Sequence, residues 1–137
     1  MHELGIATAI IEQVSAQAKK YKASAVKSVT IKVGTYSGVC TESLEFVYGP
    51  LAEDTLLENS QLIIQMSPFK IYCPHCQQTF APAQFRRSCE VCGSTDVEII
   101  SGRELDLVSM EIASPCHHSA PATTINLQTN PKEDTYV

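Results

Sequence analysis

Val29-Thr30-Ile31-Lys32-Val33 decides how the rest of the chain is read. Its apolar residues fall at every second position and all are β-branched, which suits a strand with one face buried and the other wet. Gly34 and Gly38 punctuate the segment behind it. Toward the start, Ala7, Ile11, Val14 and Ala18 recur at helical spacing, with Ile6 and Ile10 widening the stripe. That predicts a helix from Leu4 to about Lys20, where Lys19 and Lys20 suit the negative end of the helix dipole. Forward of the strand, Glu42 to about Ala52 predicts a second helix with Thr41 as N-cap and Leu44, Val47, Tyr48 and Leu51 on one face. Pro50 removes a hydrogen bond and crowds the Phe46 carbonyl, so a kink or an early end is expected there.

Leu62, Ile64 and Met66 alternate in a second strand. A third runs from about Glu104 to Ile112, but its apolar register slips from Leu105 and Leu107 to Val108, Met110 and Ile112. A β-bulge near Leu107-Val108 accounts for the slip, and a strand buried on both faces is the alternative. The order of elements predicts an α+β fold: two helices packed on one face of a three-stranded β-sheet, with a zinc-ribbon-like module inserted before the last strand. On this reading residues 1–67 and 104–113 form one discontinuous α/β domain and 68–103 the inserted zinc-binding domain. Residues 114–137 are rich in Ser, Thr, Pro and Asn with almost no apolar period, and are expected to form a disordered tail.

A chain of 137 residues, 44% hydrophobic, can bury one modest core. Its net charge of −5 opposes phosphate-backbone binding, and a zinc-ribbon adaptor reading nucleic acid would need aromatic platforms on a basic groove. No run approaches the length of a membrane span, and the start lacks the basic and apolar regions of a signal peptide. Paired cysteines at metal spacing fit a reducing compartment, so the cytoplasm is the expected address.

The inserted segment carries Cys73-x2-Cys76-x12-Cys89-x2-Cys92. Each Cys-x-x-Cys pair forms a tight knuckle, and the connector returns the chain so that four thiolates can close a tetrahedron around Zn(II). An iron site of the rubredoxin type and a redox dithiol are the competing readings. Gly93 stands where the second knuckle needs positive φ; Gln77 holds the matching place after the first and suits it less well. Phe80 and Phe85 are the connector's main packing groups, so metal must supply most of the module's folding free energy. His75 lies within the first knuckle and reads best as a solvated loop histidine. Four thiolates leave no open position for catalysis, and a cysteine-based oxidoreductase would lack a free nucleophile there.

Met1-His2-Glu3 offers a second, open site. The Met1 amine, the backbone amide of His2 and the His2 imidazole can close adjacent chelate rings, with Glu3 adding an amide nitrogen or its carboxylate. Such a planar nitrogen field selects Ni(II) or Cu(II). A histidine at position 2 is ordinarily just a polar residue before a helix. Here a large residue after Met1 preserves the amine, and the helix that follows at once holds the terminus on a rigid element.

These residues together carry a family likeness. Met1-His2-Glu3-Leu4, the run Val33-Gly34-Thr35-Tyr36-Ser37-Gly38-Val39 and Glu42-Ser43-Leu44-Glu45-Phe46 resemble the HypA family of nickel metallochaperones. So do both cysteine pairs with Gly93-Ser94, then Gly102-Arg103-Glu104-Leu105 and Met110-Glu111-Ile112. The resemblance spans about residues 1–112. It implies Ni(II) cargo at Met1, His2 and Glu3, and structural Zn(II) on Cys73, Cys76, Cys89 and Cys92. It also implies a HypB-type GTPase and a nickel–iron hydrogenase large-subunit precursor as partners, with a homodimer possible. The resemblance describes an accessory protein that is not an enzyme; net charge and the lack of a long apolar run predict that it binds neither nucleic acid nor membrane. Two positions depart from the family pattern: Thr41 where Pro is usual, and Asp54 where Gly is usual. Cys116-His117-His118 lies past the family core and reads as part of the disordered extension, a weak extra metal site being the alternative.

Overall fold

The computed structural model describes residues 2–113 and 123–127; Met1 and the Cys116-His117-His118 run lie outside them. In chain order the elements are α1 (Glu3–Lys20), β1 (Ala25–Gly34), α2 (Thr41–Ala52) and β2 (Gln61–Ser67). There follow β3 (Lys70–Cys73), β4 (Gln78–Phe80), β5 (Glu98–Ser101), β6 (Leu105–Ala113) and β7 (Thr123–Asn126). They make two sheets, one of four strands in the order β2-β1-β6-β7 and one of three in the order β4-β3-β5.

β1 lies inside the larger sheet. β1 pairs parallel with β2 and antiparallel with β6. The parallel pair has α2 as its crossover, as a parallel connection requires. Register places Val29, Ile31 and Val33 between Leu62, Ile64 and Met66 on one side and Met110, Leu107 and Leu105 on the other. Apart from Met66, which is exposed, this apolar face meets Ala7, Ile10, Ile11 and Val14 of α1 and Leu44 and Tyr48 of α2 in one core cluster.

Two extra residues keep the faces in phase. Thr30 pairs with Ser109 but Ile31 with Leu107, so Val108 is the bulged residue and the slip seen in the apolar pattern is a β-bulge. A second irregularity lies between Val26 and Ser28. Without it Val26 would point away from the face that Val29 occupies, because side chains alternate with period two. With it both are buried.

Three expectations need correction. The larger sheet has four strands, not three, and the fourth comes from the segment expected to be disordered. Thr123–Asn126 pairs antiparallel with Ser109–Ile112, because Ile125 and Leu127 give this stretch just enough apolar side chain to pack against the core. α2 begins at Thr41, so Cys40 and not Thr41 is its N-cap, without a side-chain cap bond. The helix reaches Ala52, the end its apolar pattern predicts, so the early end at Pro50 does not occur. Pro50 and Phe46 both lie on the exposed face, where water can satisfy the carbonyl that the proline leaves without a donor.

The two sheets meet at a seam of backbone bonds. The Gly34 N–H donates to the Glu104 carbonyl and the Tyr36 N–H to the Gly102 carbonyl, each at 2.7 Å. Thr35 donates to the Ser67 carbonyl through both its N–H (3.0 Å) and its hydroxyl (2.9 Å).

Candidate metal centre

β3 ends at Cys73, and the turn through Pro74, His75 and Cys76 leads into β4, with Cys73 opposite Gln78. Gln77 closes this first knuckle at φ +52°, so a non-glycine residue does take the left-handed conformation there. Gly93 takes φ +71° in the second knuckle, as expected. That turn is tied by Gly93 N–H to the Cys89 carbonyl (3.0 Å) and Cys89 N–H to the Ser94 carbonyl (2.9 Å).

The two knuckles bring the sulfurs of Cys73, Cys76, Cys89 and Cys92 within 4.8 Å of one another. Cys73 Sγ lies 3.7 Å from Cys92 Sγ, and Cys76 Sγ lies 3.7 Å from Cys89 Sγ. A disulfide would need roughly 2 Å, and none forms. A tetrahedron of sulfurs with Zn–S bonds of about 2.3 Å has edges of about 3.8 Å. The spacing therefore fits a tetrathiolate metal site. Cys73 and Cys89 are buried, Cys76 is half-buried and Cys92 is exposed.

The cysteine thiols of the cluster differ in how readily they lose a proton. Hydrogen bonds from the backbone N–H groups of Cys92 and Val91 lower Cys89 to about 6. Cys76 is pushed up to about 12, chiefly by its side-chain hydrogen bond with Cys92 and then by burial. By themselves the sulfurs share protons unequally. A cation bound among them would favour the thiolate form, because metal displaces the proton of each ligating thiol. Zn(II) would be held by all four and would supply folding free energy, with no position left open for a reaction.

His75 is not part of this cluster. Its Nε2 lies 3.7 Å from Asp96 Oδ2, with both side chains exposed. His2 and Glu3 are not drawn into it either. Among the described residues, the four cysteines make the one group of three or more His, Cys, Asp or Glu close enough to hold an ion. His2 occupies the N-cap of α1; its imidazole is exposed and does not cap the helix, while its carbonyl accepts the Ile6 N–H at 3.0 Å. Glu3 is the first helical residue and is half-buried.

Comparison with known proteins decides the family. The family model described as "Hydrogenase/urease nickel incorporation, metallochaperone, hypA" matches residues 1–112. The chain belongs to the HypA family. A hydrogenase maturation factor HypA from Picosynechococcus is 36% identical over 112 residues, covering 82% of this chain and 99% of that protein. One from Chloroflexus aggregans is 38% identical over 114 residues, covering 81% and 98%. The solution structure of the Ni metallochaperone HypA from Helicobacter pylori aligns with a TM-score of 0.62 at 26% identity, covering 83% of this chain and 99% of that one. The family is one of metallochaperones, and the four-cysteine cluster fits its metal chemistry. Among the described residues, no helix is long and apolar enough to cross a membrane.

One feature of the centre was missed in the sequence. Phe85 packs not within its own connector but on Tyr36, at 5.3 Å between ring centroids, and on Phe69 at 5.0 Å. Tyr36 and Phe69 meet edge to face at 5.2 Å. The sparse apolar content of the connector was the available signal, since a lone large ring must find its cover elsewhere.

Proposed function

We propose that this chain carries Ni(II) as cargo at its amino terminus and passes it to a nickel–iron hydrogenase large-subunit precursor. The ligands are the Met1 amine, the His2 imidazole and the Glu3 region, with Zn(II) fixed on Cys73, Cys76, Cys89 and Cys92. The observation that carries the reading is the position of His2 at the N-cap, directly before an 18-residue helix. The first backbone N–H groups of a helix have no partner within it, so the amide nitrogens of His2 and Glu3 are not claimed by α1. An exposed imidazole beside two such amides is the donor set that square-planar Ni(II) takes.

Residues 1–67 with 104–113 act as the cargo-binding domain and 68–103 as the zinc-ribbon-like domain. A HypB-type GTPase is the partner that exchanges nickel with it, in the cytoplasm, and a homodimer formed through a surface other than the outer edge of β6 is compatible with the reading. Hydrogenase is favoured as client because the relatives are named for its maturation.

His2→Ala, and separately a tag fused ahead of Met1, are expected to abolish stoichiometric Ni(II) binding while zinc stays at one per chain. The tag acts by turning the amine into an amide. Equilibrium dialysis with metal analysis reads both. Full nickel binding by the His2→Ala protein overturns the assignment.

A further inference from the structure

β6 presents one edge to β1 and the other to β7. β7 lies beyond the residues that match the family, which end at 112. The Picosynechococcus relative is covered over 99% of its length by 112 residues, so this strand belongs to an extension that relative does not share. We propose that β7 is an edge guard, which keeps the outer edge of β6 from pairing with β6 of a second copy of this chain.

Without β7 the outer edge of β6 would lie open. β6 has nine residues, with Leu105, Leu107, Val108, Met110 and Ile112 among them. A long apolar edge strand with open N–H and C=O groups is a template for another strand. β7 itself shows that this edge accepts an antiparallel partner, pairing from Ser109–Asn126 to Ile112–Thr123. It also takes up the bulge: the Leu127 N–H donates to the Val108 carbonyl at 2.7 Å.

A second β6 fits the same edge. Two copies related by a twofold axis pair antiparallel and isologously. Centred on Met110, such a pair sets Glu111 of one copy against Ser109 of the other, so no carboxylates oppose one another. The product would be one continuous sheet with helices on one side.

The guard is lightly held. β7 has four residues, three of them exposed, and of the described residues 123–127 Ile125 and Leu127 reach the core, each half-buried. β1 by contrast pairs with the other edge of β6 along its whole length. Changing the two inward residues should therefore release β7 without dismantling the sheet.

The test compares the full-length, zinc-loaded chain with its Ile125→Asp/Leu127→Asp variant by sedimentation velocity under reductant, so that exposed cysteines do not cross-link. The wild type is expected to stay monomeric at concentrations where the variant dimerises, with association stronger by roughly tenfold or more. A synthetic peptide of residues 121–129 should dissolve the variant dimer by reoccupying the edge. A variant that stays monomeric, a wild type that dimerises equally, or a dimer indifferent to the peptide each overturns the proposal. Should the variant not fold, hydrogen exchange on the wild type still decides: Ile125 and Leu127 amides exchanging as in an unstructured peptide would show that no guard is in place.

Discussion

Gly34 sits where two backbones touch. A Cβ there would lie 2.2 Å from the Gly102 carbonyl carbon, and one on Gly102, at φ +105°, would lie 2.5 Å from the Phe69 Cα. Neither clash can be relieved by turning a side chain. Overpacking typically costs about 1–3 kcal/mol, and a backbone contact belongs at the top of that range. Gly34→Ala should therefore lower the thermal midpoint of the zinc-loaded protein by on the order of 10 °C. A midpoint within about 2 °C of wild type would mean that the seam adjusts freely. Two other residues show how local geometry absorbs the departures from family pattern. Thr41 occupies the first helical position, where proline is merely favoured and other residues are accepted. Asp54 does adopt φ +64°, a region aspartate tolerates better than most residues, and its N–H donates to Glu58 Oε2 at 3.1 Å.

The three-stranded element is expected to need a metal at its four cysteines. Its strands have four, three and four residues, too short to hold a sheet alone, and few apolar side chains such as Ile71 are buried beneath them. Structural zinc sites contribute roughly 10–16 kcal/mol apparent, more than such strands could. Chelation, or Cys89→Ser, should abolish exchange protection across residues 70–101 and leave most of β1, β2 and β6 protected. Uniform loss over both sheets would show a single cooperative unit instead. The pH dependence has a definite sign. Cys76, at about 12, must lose a proton to bind metal at neutral pH, whereas Cys89, at about 6, is already a thiolate there. Affinity should rise with pH, and its slope should steepen as pH falls below about 6, where Cys89 also takes up a proton. Competition against a chromophoric chelator measures that slope, and a flat profile would contradict the proton competition. The four-cysteine cluster was legible because cysteine spacing is a direct geometric constraint, whereas the short strands β3, β4 and β5 around it carry too few residues to show a period. Both helices, β1, β2 and the bulge at Val108 were legible because their periods are written in apolar residues. β7 was not, since Ile125 and Leu127 are only two apolar residues in a polar stretch and owe their burial to a distant core. The bulge in β1 was also hidden, because Lys27 interrupts the apolar pattern in a way that resembles an ordinary exposed position.

At the scale of the whole molecule, what matters is how firmly the sheet that carries the four cysteines is fixed to the sheet whose helix has His2 as its N-cap. Backbone bonds at the seam set the distance. The rings of Tyr36, Phe69 and Phe85 span the same gap from three segments far apart in sequence. Phe85 comes from the connector between the cysteine pairs, so its place on Tyr36 depends on the connector being folded. Aromatic pairs of this geometry contribute about 0.5–1.5 kcal/mol each beyond burial, and Phe85 makes two. Phe85→Ala should leave zinc at one per chain, because no ligand changes, yet speed hydrogen exchange at the Tyr36 amide, which crosses the seam to Gly102. Chelating zinc from the wild type should produce the same acceleration at Tyr36 through loss of the folded connector, and should add nothing there to the Phe85→Ala protein. An acceleration in the variant that doubles on chelation would mean that metal and ring act on the seam separately. Equal exchange in the variant and the wild type would mean that the backbone bonds alone hold the two sheets together.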